Sequence, residues 1–418
     1  MGSSSSSKGQ IAIVGAGPAG MATALAGHRA GFEVTIYERS SELRPAGNIL
    51  NLWPPPQKVL GLLGVDIRDL GAPADSEFRR HDGHVRARVR LPQAVKDEYG
   101  GGFIGLLRPG LYRRMLDALP QGTIRYEHRV TSFTDAGDKI VVHLEGREDV
   151  EAHVLVGADG INSLVRRQLW GEQPIRHQKL HLVAGYLFCE APDPVTIVAH
   201  NRTTQGSYSA IRHDGQSGYE WWVLEAFDPS VPFTRDLREF ALERSRGFAG
   251  PLRSLIEQTP PEHLFRWEIR DRKPLKQWGN GRVTLLGDAA HPTSPYAAYG
   301  AGMSIEDGYF LAAELEQADA RDTQHVRGAL QAFEDRRKKH TSQVSQMAYI
   351  NGIMFHRLPS WLAPARDLVF DHTPLLQKVI GEATPGQIMS QLDEIDKVEE
   401  RRGSRVSAST EPIAGQRA

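Results

Sequence analysis

The sequence predicts an α/β protein: a Rossmann-like nucleotide-binding domain, an interleaved β-rich domain and C-terminal helices. Three observations predict it. Residues 11–38 run from a short apolar stretch through a Gly-rich turn and an Ala-rich segment to a second apolar stretch, the strand–turn–helix–strand order of a parallel sheet. From about 176 to 270 the texture changes to alternating apolar and aromatic residues between polar turns, as antiparallel strands require. From 325 to 358 the chain reads as one long helix.

Composition bounds the rest. The 418 residues suggest two or three domains. At 40% hydrophobic and 24% charged, with a formal net charge of −1, no bulk field points to nucleic acid or an anionic membrane. The single cysteine, Cys189, forms no internal disulfide, and a reducing, cytoplasmic setting is expected. No apolar segment is long enough to span a bilayer, because residues 11–27 are broken by four glycines and a proline. The Ser-rich start lacks the apolar core of a signal peptide, and the polar stretch 401–418 is expected to be a disordered tail. No metal site is expected, and monomer and homodimer both stay open.

The first element is the strand Ile11 to Val14, followed by a helix expected over Met21 to Ala30 and a strand over Glu33 to Tyr37. Gly15, Gly17 and Gly20, with Ala19 between them, match the dinucleotide fingerprint: a tight turn, close approach to a pyrophosphate, and helix–strand packing. Glu38, followed by Arg39, ends the second strand where a ribose needs an acceptor. An acid there favours a free adenosine ribose, as in FAD or NAD, over a 2′-phosphate. Residues 40–65 give a loop, a short strand and an amphipathic helix, with Arg44 in reach of a pyrophosphate. Arg108 precedes a helix over 111–119. Strands over 124–158 end at a second acid, Asp159, at a strand C-terminus.

In the β-rich region, Trp221 and Trp222 are expected to face opposite sides of a sheet. The run 283–286 is a further strand, and it ends at a third acid, Asp288. Then come Pro295, Tyr296, Tyr299 and a helix starting near Gly300, Ala301, Gly302 and Met303, whose amides suit a flat anionic group. A reduced flavin is such a group, so FAD accounts for both Gly-rich junctions, whereas NAD gives no reason for the second.

Three motifs in this order, GAGPAG with Glu38, GADGINSLVR at 157–166 and GDAAHP at 287–292, resemble those of the flavin-dependent aromatic hydroxylases, the single-component monooxygenases that include para-hydroxybenzoate and salicylate hydroxylases. The resemblance covers roughly residues 9–345. It implies that Arg44 and Arg108 contact FAD phosphate or ribityl groups and that Val130 meets the adenine through its backbone. It also ties Asp159 to both FAD and NAD(P)H, and has Asp288 with the 300–303 turn hold the ribityl chain and pyrimidine edge. The chain departs from the family at Ala298 and Tyr299, where Gly and Gln are frequent, and at Ile49, where a second glycine is common.

The activity so implied is hydroxylation of a small phenolic or N-heteroaromatic substrate with O2, through a flavin hydroperoxide, FAD being reduced by NADPH or NADH. Epoxidation, Baeyer-Villiger oxidation, an oxidase or dehydrogenase without oxygen insertion, and a non-catalytic aromatic-binding flavoprotein are the alternatives. The catalytic base is not identified: His213, His291 and His356 qualify by residue type only, and Tyr296, Tyr299, Met303 and Trp222 are substrate-side candidates. The expected partition is FAD-binding segments at 9–78, 103–175 and 273–345, a substrate-domain insert at 79–102, an antiparallel substrate domain at 176–272, and a helical region at 346–400.

Overall fold

The structure, a computed structural model, describes residues 7–43, 49–190 and 192–410. Its first sheet has five parallel strands, in the order Val283–Leu285, Val154–Gly157, Gln10–Val14, Glu33–Tyr37 and Ile124–Arg125. The strands Gln10–Val14 and Val154–Gly157 at its centre are buried along almost their whole length, so they read as continuous apolar runs rather than alternations. The helix Pro18–Arg29 starts ahead of the expected Met21, because a proline in the first turn lacks only an N–H that has no helical acceptor anyway. It crosses the helix Gly300–Leu315 at backbone contact: a Cβ on Gly308 would stand 2.5 Å from the amide nitrogen of Thr23.

The second sheet has nine strands. Its order is Phe265–Asp271, Arg176–Phe188, Gln216–Ala226, Thr204–His213, Val195–His200, Ala72–Arg80, Phe103–Leu107 and Ile49–Leu52, with Val85–Arg88 paired onto Ala72–Arg80. Strands from Ile49–Leu52, Ala72–Arg80 and Phe103–Leu107 thus join this sheet from outside the expected 79–102 and 176–272 segments. Local pattern finds a strand but not its partner. One face buries Trp221, Val183, Tyr208 and Ile197 under the helices Leu237–Arg244 and Leu252–Gln258. The other face carries Leu180, Leu182, Leu224 and Trp222. The two tryptophans point oppositely, as the period of a strand requires. A third, three-stranded antiparallel sheet holds Val130–Asp135, Ile140–Leu144 and Val150–Ala152.

The C-terminal helices close the molecule. Thr323–Gly352 begins at Asp322, whose carboxylate accepts from the amides of Gln324 and His325. It ends before the expected 358, in a π-helical turn, Ile353–Arg357. Ala363–His372 and Ala383–Thr410 follow. The expected disordered tail from 401 is corrected in part: the helix runs on to Thr410, with Arg402 bound to Glu316 and Glu399, and residues 411–418 lie outside the described residues. Among the described residues no helix is long and apolar enough to cross a membrane.

Candidate functional site

The glycines of the first turn are there for different reasons. Gly15 has φ +100, and a Cβ on it would lie 2.6 Å from the Ala158 carbonyl oxygen. A Cβ on Gly20 would lie 2.0 Å from the Gly15 oxygen. Gly17 has an ordinary φ of −71, and a Cβ there would meet no protein atom within 4 Å. Nothing inside the protein asks for glycine at 17; a ligand lying against the helix N-terminus does. The first intrahelical bond is Met21 N–H to the Gly17 oxygen, so the amides before it have no helical acceptor. These residues fit the pyrophosphate of a dinucleotide.

Glu38 stands beside this turn, its carboxylate accepting from the amides of Ala16 (3.0 Å) and Ser40 (2.9 Å). Arg39 is exposed next to it, and Arg44 lies outside the described residues. The segment leading to Val130 is stitched to the same corner: Glu127 N–H donates to the Ser40 carbonyl and His128 N–H to the Glu38 carbonyl. Glu38, Arg108 and Asp288 all act electrostatically on the Tyr112 phenol, which burial raises, so the three charges surround one side chain. Asp288 is itself solvent-exposed but sunk among protein atoms; that crowding raises its carboxyl against the pull of His291 and Arg108.

Asp159 caps the start of the next helix, accepting from the amides of Leu164 (2.7 Å) and Val165 (3.3 Å), while its other oxygen is buried without a partner. Burial raises this carboxyl too, against the hydrogen bonds of Ser163 and those amides. Arg166, from the same motif, donates to the carbonyls of Ala289 and Ala290, each at 3.1 Å. The second motif is therefore bolted to the third, and Ala19 of the first motif packs on Gly287.

At the second turn, Ser294 Oγ accepts from the Tyr296 amide and Ala298 adopts the left-handed conformation, φ +46. Trp53 Nε1 donates to the Ala298 carbonyl at 3.0 Å. The ladder of the helix starts with Met303 N–H to the Tyr299 oxygen, which leaves the amides of Gly300, Ala301 and Gly302 without helical acceptors. Pro295 is exposed at the rim. This is the donor set for a flat, electron-rich ring edge.

The four substrate-side candidates separate into two places. Trp222 and Tyr296 pack in one cluster with Ile49, Phe265 and Leu224. Tyr299 and Met303 are buried in another, with Trp53, Val344 and Leu392, and the Tyr299 hydroxyl donates to Glu306 at 2.6 Å. The Tyr296 hydroxyl is hydrogen-bonded to His356 Nε2, and His356 Nδ1–H donates to the Thr203 carbonyl at 2.8 Å. Burial pushes the Tyr296 phenol well up and the His356 imidazole down to about 4. His291 is buried and binds Asp307 Oδ2 at 2.5 Å; His213 packs on Gly110 and faces Asp214.

Sequence reasoning missed two groups. Glu220 is 1% exposed in the strand Gln216–Ala226, beside Asn51, and burial pushes its carboxyl up to about 8 while the Asn51 amide pulls it down. The signal was an acid at the centre of GYEWWVLEAF, in phase with Trp222. Arg337, 1% exposed, binds Glu306 and Asp307. It sits in a basic run that reads as a solvated face, and only the packing of three helices shows otherwise. Among the described residues no group of three His, Cys, Asp or Glu is placed to hold a metal ion.

The family model for an FAD binding domain matches residues 8–348. A 6-hydroxynicotinate 3-monooxygenase of Pseudomonas fluorescens is 29% identical over 371 residues, 84% of this chain and 94% of that protein. A 3-amino-4-hydroxybenzoate 2-monooxygenase of Streptomyces platensis is 31% identical over 358 residues, 83% of this chain and 88% of that protein. Among solved structures, Klebsiella pneumoniae HpxO complexed with FAD and uric acid superposes with a TM-score of 0.79 at 23% identity, covering 91% of this chain and 97% of that one.

Proposed function

We propose, from the premise that the chain belongs to the FAD binding domain family and is an FAD-dependent monooxygenase of the aromatic hydroxylase type, that it hydroxylates a small phenolic or N-heteroaromatic ring with O2 and NADPH or NADH. The observation that carries this reading is the double duty of one short loop. Residues 295–302 offer three helix-terminal amides to the cofactor and insert Tyr296 into the apolar cluster on the open face of the large sheet.

In this reading Gly17 and the amides behind it hold the FAD pyrophosphate, Glu38 the adenosine ribose and Asp288 the ribityl hydroxyls. The amides at 300–302 hold the pyrimidine edge. When reduced, FAD supplies the activation of O2. The protein supplies orientation and dryness. Trp222, Phe265 and Leu224 present an apolar wall that orders a ring and keeps water from the reacting atoms. Tyr296 places a hydroxyl in that wall. Because His356 Nδ1–H is committed to the Thr203 carbonyl, Nε2 is the ring's acceptor and holds the Tyr296 O–H, which turns the phenol oxygen to accept a hydrogen bond from a substrate hydroxyl. Thr203 lies in an exposed turn, so this chain of groups leads from the cluster to solvent.

The test is NADPH and NADH oxidation by the FAD-loaded protein across a panel of phenols and hydroxypyridines, with isotope-labelled O2. Ring-stimulated oxidation and label in the product are expected. Oxidation without incorporation points to an oxidase or dehydrogenase, and ring binding without nicotinamide oxidation points to a carrier.

A further inference from the structure

On the open face of the nine-stranded sheet, one stretch is polar and fully buried. Glu220 shares this face with Trp222, its cross-strand neighbours being Ser209 on one side and Tyr186 on the other. Ser207 and Gln205 continue the polar row beside Trp222 and Leu224. Asn51 comes from the far edge strand, in phase with Ile49, which packs in the cluster of Trp222 and Tyr296. Glu220 and Asn51 are hydrogen-bonding neighbours. Among the described residues each nevertheless keeps one buried oxygen with no partner, Oε2 of Glu220 and Oδ1 of Asn51.

A buried polar atom without a partner costs stability unless a ligand supplies one. Among the described residues Glu220 meets no cation: burial and the Asn51 amide are the influences on its carboxyl, and Tyr186, Ser209 and Trp222 around it are uncharged. The carboxyl is therefore held as the neutral acid at neutral pH, and its O–H is a donor. Beside it, Asn51 Oδ1 is an acceptor. A donor and an acceptor side by side complement a ligand edge bearing a carbonyl next to an N–H. A phenol must serve both through a single oxygen, whereas a lactam edge meets them with two adjacent atoms; a substrate carboxylate would bring an anion to an acid with no cation beside it among the described residues.

We propose that Glu220 and Asn51 form a recognition pair for a lactam edge, so that the substrate is an N-heteroaromatic of the hydroxypyridine (pyridone) class, its ring N–H donating to Asn51 Oδ1 and its carbonyl accepting from Glu220. This rests on the reading of Trp222 and Tyr296 as the substrate side. It gives Glu220 a positioning role, distinct from the hydroxyl contact at Tyr296.

The test is calorimetric titration of the FAD-loaded protein with two isosteric pairs that differ in ring N–H against C–H: 2-pyridone with phenol, and 6-hydroxynicotinate with 4-hydroxybenzoate. The N–H member of a pair is expected to bind about tenfold tighter or better, since a site built to hydrogen-bond a group rejects the analogue lacking it. Asn51→Leu and Glu220→Leu should each bring the pair to within about twofold, whereas Glu220→Gln, which keeps a donor, should preserve the preference. FAD content and thermal melting show that each variant is folded, and Asn51→Asp, which keeps the acceptor, serves if the leucine variant is not. Equal binding within each pair, no binding of any ring, or a preference that survives Asn51→Leu overturns the proposal. Hydroxylation of phenols without an N–H preference would sink this pairing and leave the hydroxylase reading standing. An N–H preference with no ring oxygenated would do the reverse.

Discussion

Gly17 separates what the fold needs from what the cofactor needs. Its backbone is ordinary and its Cβ position open, so Gly17→Ala should leave the unfolding free energy of the FAD-free protein within about 0.5 kcal/mol of wild type. On the proposed reading the same methyl lies where the pyrophosphate approaches, so FAD content on purification should fall sharply, read from the flavin absorbance. Full retention of FAD would remove Gly17 from the groove. Glu220 makes the opposite kind of prediction. Its carboxyl ionises near 4.5 when unfolded and at about 8 when folded, so the folded protein holds a proton that the unfolded chain has lost. Its contribution is complete below the unfolded value and erodes as pH rises to about 8, by at most ~1.4 kcal/mol per pH unit. Glu220→Gln should abolish that slope, measured as the difference between wild-type and variant urea unfolding across this window. At Tyr296, on the proposed reading, removing the hydroxyl with Tyr296→Phe should lower kcat about tenfold with a smaller change in KM, since its oxygen orients the substrate hydroxyl for reaction. Equal loss in both constants would assign it to binding alone.

Among the elements, the turn before the helix Gly300–Leu315 shows how far sequence could see. GDAAHP and the glycines after it announce a strand–turn–helix junction, because turn chemistry is local. That Ala298 stands in the left-handed region was not legible, although its occupying a frequent glycine position was the hint. The conformation costs an L-residue roughly 1–2 kcal/mol, more than glycine's extra chain entropy, so Ala298→Gly should stabilise the protein by about 0.5–1 kcal/mol in chemical denaturation. A loss of stability would mean that its methyl makes contacts outweighing the strain. The opposite facing of Trp221 and Trp222 was legible from period alone. The meeting of Asn51 with Glu220 was not: it needs the strand Ile49–Leu52 to join, through Phe103–Leu107, the sheet that also holds Gln216–Ala226 from much later in the chain, and no local pattern encodes that pairing.

At the scale of the whole molecule, one buried guanidinium ties the C-terminal helices to the cofactor motifs. Arg337 Nε donates to Asp307 at 2.7 Å, Nη2 to Glu306 at 2.9 Å, and Nη1 to Gln391 at 2.6 Å, joining the helices Gly300–Leu315, Thr323–Gly352 and Ala383–Thr410. Asp307 also accepts from His291 and from the Gly287 amide, so the same node backs the turn that carries Asp288. Despite burial, His291 and Arg337 hold the Asp307 carboxyl down at about 2, while burial keeps Glu306 raised. Arg337→Leu leaves the buried Glu306 without its cation and Asp307 with His291 alone, and should cost about 3–5 kcal/mol near neutral pH. In wild type the Asp307 contribution is present above its unfolded value of 3.8 and is lost only as pH falls through about 2. In the variant Glu306 loses its cation and Asp307 one of its two, so both take up protons at higher pH. The deficit relative to wild type should therefore shrink as pH is lowered from about 7 to about 5, measured by urea unfolding at each pH. FAD content should fall together with stability, because Gly287, Asp288 and the 300–302 amides are positioned from this node. A variant that is destabilised equally at both pH values would show that Arg337 acts through packing rather than charge, and one that keeps its FAD would uncouple the helices from the groove.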